Sequence, residues 1–325
     1  MEFLGKTNIK TSKIVYGCMG GSGAFGPVKE RESIEAIRVA FEEGINFFDT
    51  AEMYGDGYSE QLLAKALGNK RKETVILSKV KPENLAKKDL IEACERSLKN
   101  LKTDYIDIYL IHWPNRNVPF QESIEALNQL KKEGKILNYG VSNFGVKDLN
   151  DIYSIDENIC VNEIGYNLLT RAPELEVIPS CEEKEIPILT YSSLMQGLLA
   201  GKYTKLDDFP ENRARTHLFD NRKRKMCRHG GNGQEKLAQK TLDDIWKIVK
   251  ETNLTMTELS IGWLKSNKAV GGVIVGTKNA EQSHNLKNII NIKLDEDILQ
   301  KLNRVTVNLR DALGPNIDPW DFRTR

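Results

Sequence analysis

Four side chains of the 325-residue sequence have types that could act together: Asp49, Tyr54, Lys79 and His112. A free phenol titrates near 10, so Tyr54 alone donates a proton poorly at neutral pH. A cationic Lys79 beside it favours the phenolate. At about 4 Å and an effective dielectric near 20 the attraction is about 4 kcal/mol, against about 1.4 kcal/mol per pKa unit. On that scale the Tyr54 phenol is expected to fall toward neutrality. Asp49 would hold Lys79 charged and in place, and His112 could hydrogen-bond the oxygen of a bound carbonyl. The set reads as a general acid aimed at a carbonyl oxygen, which still needs a hydride source. Each residue also has a plainer role: a solvated strand end for Lys79, a cap or turn for Asp49, core hydrogen bonds for Tyr54 and His112.

What joins the four is their place in the chain. Short β-branched runs alternate with amphipathic segments. Strands are expected at Ile14–Gly17, Ile45–Asp49, Thr74–Ser78, Tyr105–His112, Ile136–Ser142, Ile159–Ile164, Ile186–Tyr191 and Gly271–Gly276. Between and after them, helices are expected at Ser33–Glu43, Ser59–Leu67, Lys87–Leu101, Phe120–Glu133, Val146–Tyr153, Glu174–Glu185, Gln234–Thr252, Thr257–Asn267, Ala280–Ile290 and Asp295–Val305. Ser59 is the expected N-cap of the second helix. Eight strands each followed by a helix predict an α/β fold, and eight is the number that closes a (β/α)8 barrel. An open doubly wound sheet is the competing arrangement. Against it, Gly17–Gly26 (GCMGGSGAFG) lacks the G-x-G-x-x-G spacing and the downstream acidic residue. In a barrel, chemistry sits where strands end. Asp49, Lys79 and His112 close or follow the second, third and fourth strands, and Tyr54 lies five residues beyond Asp49. Ser142-Asn143, Asn162-Glu163, Tyr191-Ser192 and Gly276-Thr277-Lys278 stand at the later strand ends.

Composition narrows the class. Hydrophobic residues make up 40% and charged residues 29%, enough apolar side chain for a large core and too little bias for disorder. Lys+Arg 47 against Asp+Glu 46 leaves no basic excess of the kind that nucleic acid or an anionic membrane attracts. No stretch approaches the ~20 apolar residues of a membrane helix, and the N-terminus shows no secretory h-region. Cys18, Cys94, Cys160, Cys181 and Cys227 are scattered and form no C-x-x-C pair, as expected of reduced thiols in a cytoplasmic protein. Cys227 and His229 have no second ligand pair at zinc spacing, so no metal is expected.

Further motifs make the chain similar to a known group. GINFFDTAEMYGDGYSEQLLAKAL, VILSKV, DYIDIYLIHWP, NYGVSNF, YNLLTR, TYSSLMQGLLAGKY and VIVGTKNAEQ occur in order, and with them the chain resembles the aldo-keto reductase superfamily over nearly its whole length. The resemblance implies a (β/α)8 TIM barrel with an N-terminal β-hairpin, a long loop after the seventh strand and an extra C-terminal helix. It implies NADP(H) bound in extended form, and it places the catalytic tetrad on Asp49, Tyr54, Lys79 and His112. Ser142 and Asn143 would hold the nicotinamide carboxamide, and Tyr191 would stack on the ring. Ser192 and Leu194 would run along the pyrophosphate. Lys202 and Arg213 resemble phosphate contacts of the branch containing potassium-channel β-subunits. Gly276, Thr277, Lys278 and Gln282 would take the adenosine 2′-phosphate and adenine. Lys278 at a helix start suits a phosphate dianion, which favours NADP over NAD.

Two positions depart from the family pattern. Glu163 stands where the family usually has Gln at the carboxamide. A carboxylate can accept from the carboxamide NH2 but cannot donate to its C=O. Its charge would favour the oxidised ring, so either the balance of reduction and oxidation is shifted or Glu163 is protonated or rotated away. Asn285-Leu286 replaces the usual Glu-Asn, and Asn285 can still hydrogen-bond adenine.

Residues 1–325 are expected to form one barrel domain, with 197–233 as a loop covering the cofactor. That loop carries RKRKMCRHGG (Arg222–Gly231), readable as a nucleic-acid signal, a phosphate-covering lid or a solvated surface. Trp113, Met19, Phe25 and Trp320 are candidates for the substrate pocket. The expected activity is reversible reduction of aldehydes or ketones with Tyr54 as general acid. Two alternatives stand beside it: an NADP(H)-binding regulatory subunit, and a Schiff-base aldolase with Lys79 as nucleophile. The substrate and the self-association of the chain are left open.

Overall fold

The computed structural model describes residues 1–325 except 24, 25, 27, 228, 230 and 319–325. An antiparallel hairpin comes first, β1 (Glu2–Phe3) and β2 (Lys10–Thr11), with Glu2 opposite Thr11. Eight parallel strands then close a barrel: β3 (Ile14–Gly17), β4 (Phe47–Asp49), β5 (Val75–Val80), β6 (Ile106–Ile111), β7 (Ile136–Ser142), β8 (Ile159–Gly165), β9 (Ile188–Tyr191) and β10 (Val270–Val275). Each strand pairs with its chain neighbour, and β10 returns to β3 through Val273 opposite Ile14.

The two-residue period of a strand sorts the side chains into an inside and an outside. Val15, Phe47, Val75, Leu77, Ile108, Leu110, Val161, Leu189 and Ile274 form the interior cluster, and Leu4 from the hairpin joins it. Phe48, Ile76, Tyr109, Ile111 and Ile164 face out into the second cluster, shared with the helices. The inward phase continues upward into polar residues: Phe47 then Asp49, Leu77 then Lys79, Leu110 then His112, Val161 then Glu163, Leu189 then Tyr191. An apolar floor therefore lies under each of these five side chains at the C-terminal rim.

The outer layer follows the expected rhythm, with α1 (Glu30–Glu42), α2 (Tyr58–Leu67), α3 (Lys87–Leu101), α4 (Phe120–Lys132), α5 (Val146–Tyr153), α6 (Val177–Glu183), α7 (Glu235–Glu251) and α8 (Met256–Ser266). Several expectations need correction. Gly57, not Ser59, caps α2, because the buried Ser59 hydroxyl is used elsewhere: it accepts from Thr50 Oγ1 at 2.9 Å and donates to Cys18 O at 3.3 Å. The expected helix Glu174–Glu185 contracts to α6, with Pro179 in its first turn, where a missing N–H costs no helical bond. Ala280–Ile290 divides at Asn285 into α9 (Ala280–His284) and α10 (Leu286–Ile290). The final helix, α11 (Glu296–Leu313), outlasts its expected end at Val305. It does so because Thr306 and Leu309 continue the buried face, and Gly314 with φ 72° stops it.

An ion network ties α11 to the loop after β8. Arg171 Nε and Nη2 each donate to Glu174 at 2.7 Å, and Arg310 Nη1 approaches the same carboxylate at 3.2 Å.

Candidate functional site

The rim brings the four first-named residues together. Lys79 is fully buried and forms an ion pair with Asp49 Oδ1. Its Nζ also donates to Thr50 O at 3.1 Å and lies 3.5 Å from the Tyr54 hydroxyl. The Tyr54 and His112 rings meet edge to face at 5.7 Å between centroids. His112 is buried with Nδ1 lacking a hydrogen-bond partner. Burial, then the Lys79 charge, hold the imidazole well below its ordinary pKa, so it is neutral at pH 7.

A fifth group enters this cluster. Glu163 Oε2 stands 3.3 Å from Lys79 Nζ, beside the Asp49 carboxyl that pairs with the same ammonium. Burial first, then the Asp49 charge, push Glu163 up to about 8, with Lys79 pulling the other way. Burial likewise lifts Asp49 above its ordinary range, opposed by Lys79. Burial also opposes the charge on Lys79, but Asp49, Glu163 and Tyr54 outweigh it and raise the ammonium above its usual range.

The expectation for Tyr54 is overturned. Its phenol is raised above 10, not lowered. Desolvation is the largest cause, the Lys79 cation acts against it, and Asp49 and Glu163 offset the cation. The attraction to Lys79 alone left out the carboxyls that share the same ammonium.

Beside this cluster lies an amide network. Asn143 takes a left-handed backbone conformation, φ 63°. Its Nδ2 donates to His112 O and to Ser142 Oγ, each at 3.0 Å. Tyr191 Oη donates to Asn143 Oδ1 at 2.7 Å, and Ser142 Oγ donates to Glu163 O at 3.0 Å. One side of the Tyr191 ring rests on Gly165: a Cβ there would lie 3.2 Å from Tyr191 Cζ. Gly165, Thr50 O and Glu163's place beside Lys79 escaped the reading from sequence. The inward phase shared by Lys79 and Glu163 was the available signal for the last of these.

A second zone is cationic. Lys202, Arg213 and Lys278 form no ion pair among the described residues, and burial followed by repulsion from Arg213 and Lys202 lowers the pKa of Lys278. Arg213 Nη1 donates to Gln196 O at 3.3 Å, within a turn where Gln196 and Gly197 have φ 53° and 102°. Arg213 Nε and Ser192 Oγ are buried donors with no hydrogen-bond partner. Leu194 is partly buried, and its carbonyl accepts from Gly197 N at 2.9 Å. Gly276 packs against Gly17, whose carbonyl would lie 3.0 Å from a Cβ at that position. Thr277 Oγ1 contacts Tyr16 Oη at 2.9 Å and Ser283 Oγ at 2.6 Å. Gln282 Oε1 accepts from Lys278 N at 3.0 Å, and Asn285 is exposed. These donors fit a phosphorylated dinucleotide: cations without an ion pair and a buried hydroxyl suit anionic oxygens.

The basic run in the long loop is largely neutralised. Arg222 pairs with Asp220 at 2.7 Å, and Arg224 lies within 3.6 Å of Asp207, Glu211 and Glu235. Arg228 and Gly230 lie outside the described residues, as do Phe25 and Trp320. Trp113 is buried and Met19 is exposed. No helix among the described residues is long and apolar enough to cross a membrane.

A family model described as Aldo/keto reductase family matches residues 13–306. The chain belongs to that family. Over 333 aligned residues it is 30% identical to the aldo-keto reductase YhdN of Bacillus subtilis, covering 97% of both chains. A probable voltage-gated potassium channel subunit beta of Arabidopsis thaliana is 28% identical and covers 93% of this chain and 95% of its own. Among solved structures, an aldo/keto reductase of Klebsiella pneumoniae in complex with NADP and acetate superposes with a TM-score of 0.72 at 28% identity. That match covers 90% of this chain and 91% of the other.

Proposed function

We propose that the protein is an NADP(H)-dependent reductase of aldehydes or ketones, working reversibly on alcohols, with Tyr54 as general acid. The observation that carries this reading is the buried Lys79 held by Asp49, with Nζ 3.5 Å from the Tyr54 hydroxyl. The bound nicotinamide supplies hydride to the carbonyl carbon. Tyr54 keeps its proton at neutral pH, since its pKa is raised, and gives it to the more basic alkoxide oxygen as that charge develops. Lys79 stabilises the phenolate left behind, and Asp49 fixes the ammonium. Neutral His112 orients the carbonyl oxygen. Asn143, Ser142 and Tyr191 would hold the nicotinamide, Ser192 and Arg213 the pyrophosphate, and Lys278 with Lys202 the 2′-phosphate.

In this reading residues 1–325 act as one barrel unit in the cytoplasm, and 197–233 covers the cofactor. The likeness to a channel β-subunit supports a second reading, a regulatory subunit that senses NADP(H). The paired, fully buried Lys79 is charged, which disfavours a Schiff-base nucleophile. The test is NADPH consumption against aldehydes, ketones and sugars, with the reverse reaction on alcohols. Tyr54→Phe should lower kcat by about 10²–10⁴ while NADPH binding persists. A Tyr54→Phe enzyme with near wild-type turnover refutes the acid assignment, and absence of turnover on the whole panel favours the regulatory reading.

A further inference from the structure

Glu163 is the one member of the buried cluster that the chemistry above leaves unused. Lys79 Nζ contacts Asp49 Oδ1 directly, Thr50 O at 3.1 Å, Glu163 Oε2 at 3.3 Å and Tyr54 Oη at 3.5 Å. Among the described residues the other elements around Glu163 add no countercharge. On β7, Ser142 opposite it donates only to its backbone carbonyl, and on β9 the facing residue is Leu189. His112 on the far side of Tyr54 is neutral. Two ionised carboxyls against one ammonium would bury an uncompensated negative charge, which is costly in a site closed to water. A proton kept on one carboxyl removes that charge. Asp49 makes the direct contact with the ammonium, whereas Glu163 Oε2 lacks a well-directed hydrogen bond to it, so Glu163 is the acid that keeps the proton.

We propose that Glu163 rests as a neutral acid beside the Asp49–Lys79 pair and loses its proton when the oxidised nicotinamide binds. The inference rests on the NADP(H) reading above. The step is an ionisation: the Glu163 O–H bond breaks, the proton goes to solvent, and no electrons move. In the NADP(H) reading Glu163 would lie near the nicotinamide, so a new carboxylate there would be favoured by the positive oxidised ring and not by the neutral reduced one. The cluster thereby links cofactor redox state to one proton. Burial and the Asp49 charge, which push Glu163 up to about 8, agree with this. By reciprocity, removal of that proton by base must strengthen NADP+ binding relative to NADPH. The gain is at most about tenfold per pH unit, confined to the window between the Glu163 pKa with NADP+ bound and that without it. The 2′-phosphate titrates near 6 but is common to both nucleotides, so it cancels in the comparison.

The experiment is calorimetric titration of the full chain with NADP+ and with NADPH, in buffers of different ionisation enthalpy at pH 7. The ratio of the two Kd values is then followed from pH 6 to 9. The expected result is about half a proton or more released in excess on NADP+ binding. The ratio Kd(NADPH)/Kd(NADP+) should rise about tenfold over the series, and both effects should vanish in Glu163→Gln. Equal proton counts for the two nucleotides in the wild type overturn the proposal, and that measurement needs no variant to fold. An unchanged pH slope in Glu163→Gln overturns it too. If neither nucleotide binds, the NADP(H) reading itself falls, and this inference with it.

Discussion

Replacing Lys79 with Met separates what the ammonium does for chemistry from what it does for stability. The Tyr54 hydroxyl is 3.5 Å from Nζ. At an effective dielectric of about 20, a full phenolate charge at that distance is worth about 5 kcal/mol. With about half of that charge developed in the transition state, the loss is about 2.4 kcal/mol, or roughly sixtyfold in kcat. Stability suffers separately, because Asp49 is left buried without its cation. Breaking a buried pair in this way costs about 3–5 kcal/mol. At ~2.1 cal/mol/K per residue of unfolding entropy, that corresponds to a Tm lowered by about 4–7 °C for a chain of 325 residues. Adding Asp49→Asn removes the stranded carboxylate, so the double variant should regain more than half of the lost Tm and none of the lost kcat. Scanning calorimetry gives the first quantity and single-turnover NADPH oxidation the second. A Lys79→Met enzyme within twofold of wild type, or a double variant whose Tm does not recover, would refute the reasoning.

Three more outcomes follow from named contacts. Gly165→Ala places a methyl 3.2 Å from Tyr191 Cζ, so the ring must shift and its bond to Asn143 must lengthen. NADPH Kd by fluorescence titration should rise about two- to fivefold, with little change in Tm. Arg213→Ala removes a guanidinium with a buried, partnerless Nε. The Kd for NADPH should rise about tenfold, in keeping with one lost charge-assisted hydrogen bond, and an unchanged value argues against phosphate contact. His217 lies in the long loop with both ring nitrogens unpartnered, and burial followed by His229 pushes its pKa down to about 4. Its neutral form is the one the fold accommodates. The unfolded chain therefore binds the proton first, and stability falls as pH drops from about 6.5 to about 4, by about 3 kcal/mol in total. His217→Asn should flatten that part of a Tm-against-pH curve.

The barrel was legible because the information it needs is local. Eight strand runs separated by amphipathic helices specify a parallel sheet and their number points to its closure, and the site residues fall at strand ends where the barrel rule looks for them. Element ends were less legible. Ser59 has the chemistry of a cap, yet its hydroxyl is taken by Thr50 and Cys18, partners that only the folded chain supplies. Val305 looked like an end because the continuation through Leu309 depends on what α11 packs against.

The sequence by itself determined which residues reach the rim, since a two-residue period places Asp49, Lys79, His112, Glu163 and Tyr191 on the inward face above apolar neighbours. Only the tertiary structure decided how they bear on one another. Glu163 comes from β8 and Lys79 from β5, three strands apart around the ring, and closure of the barrel brings the carboxyl within 3.3 Å of the ammonium. A Coulomb energy depends on that separation and on the water excluded around it, and neither is written in the spacing of residues along the chain. For the same reason Tyr54, expected to be acidified by one lysine, instead keeps its proton, because burial outweighs the attraction of a lysine already paired with Asp49.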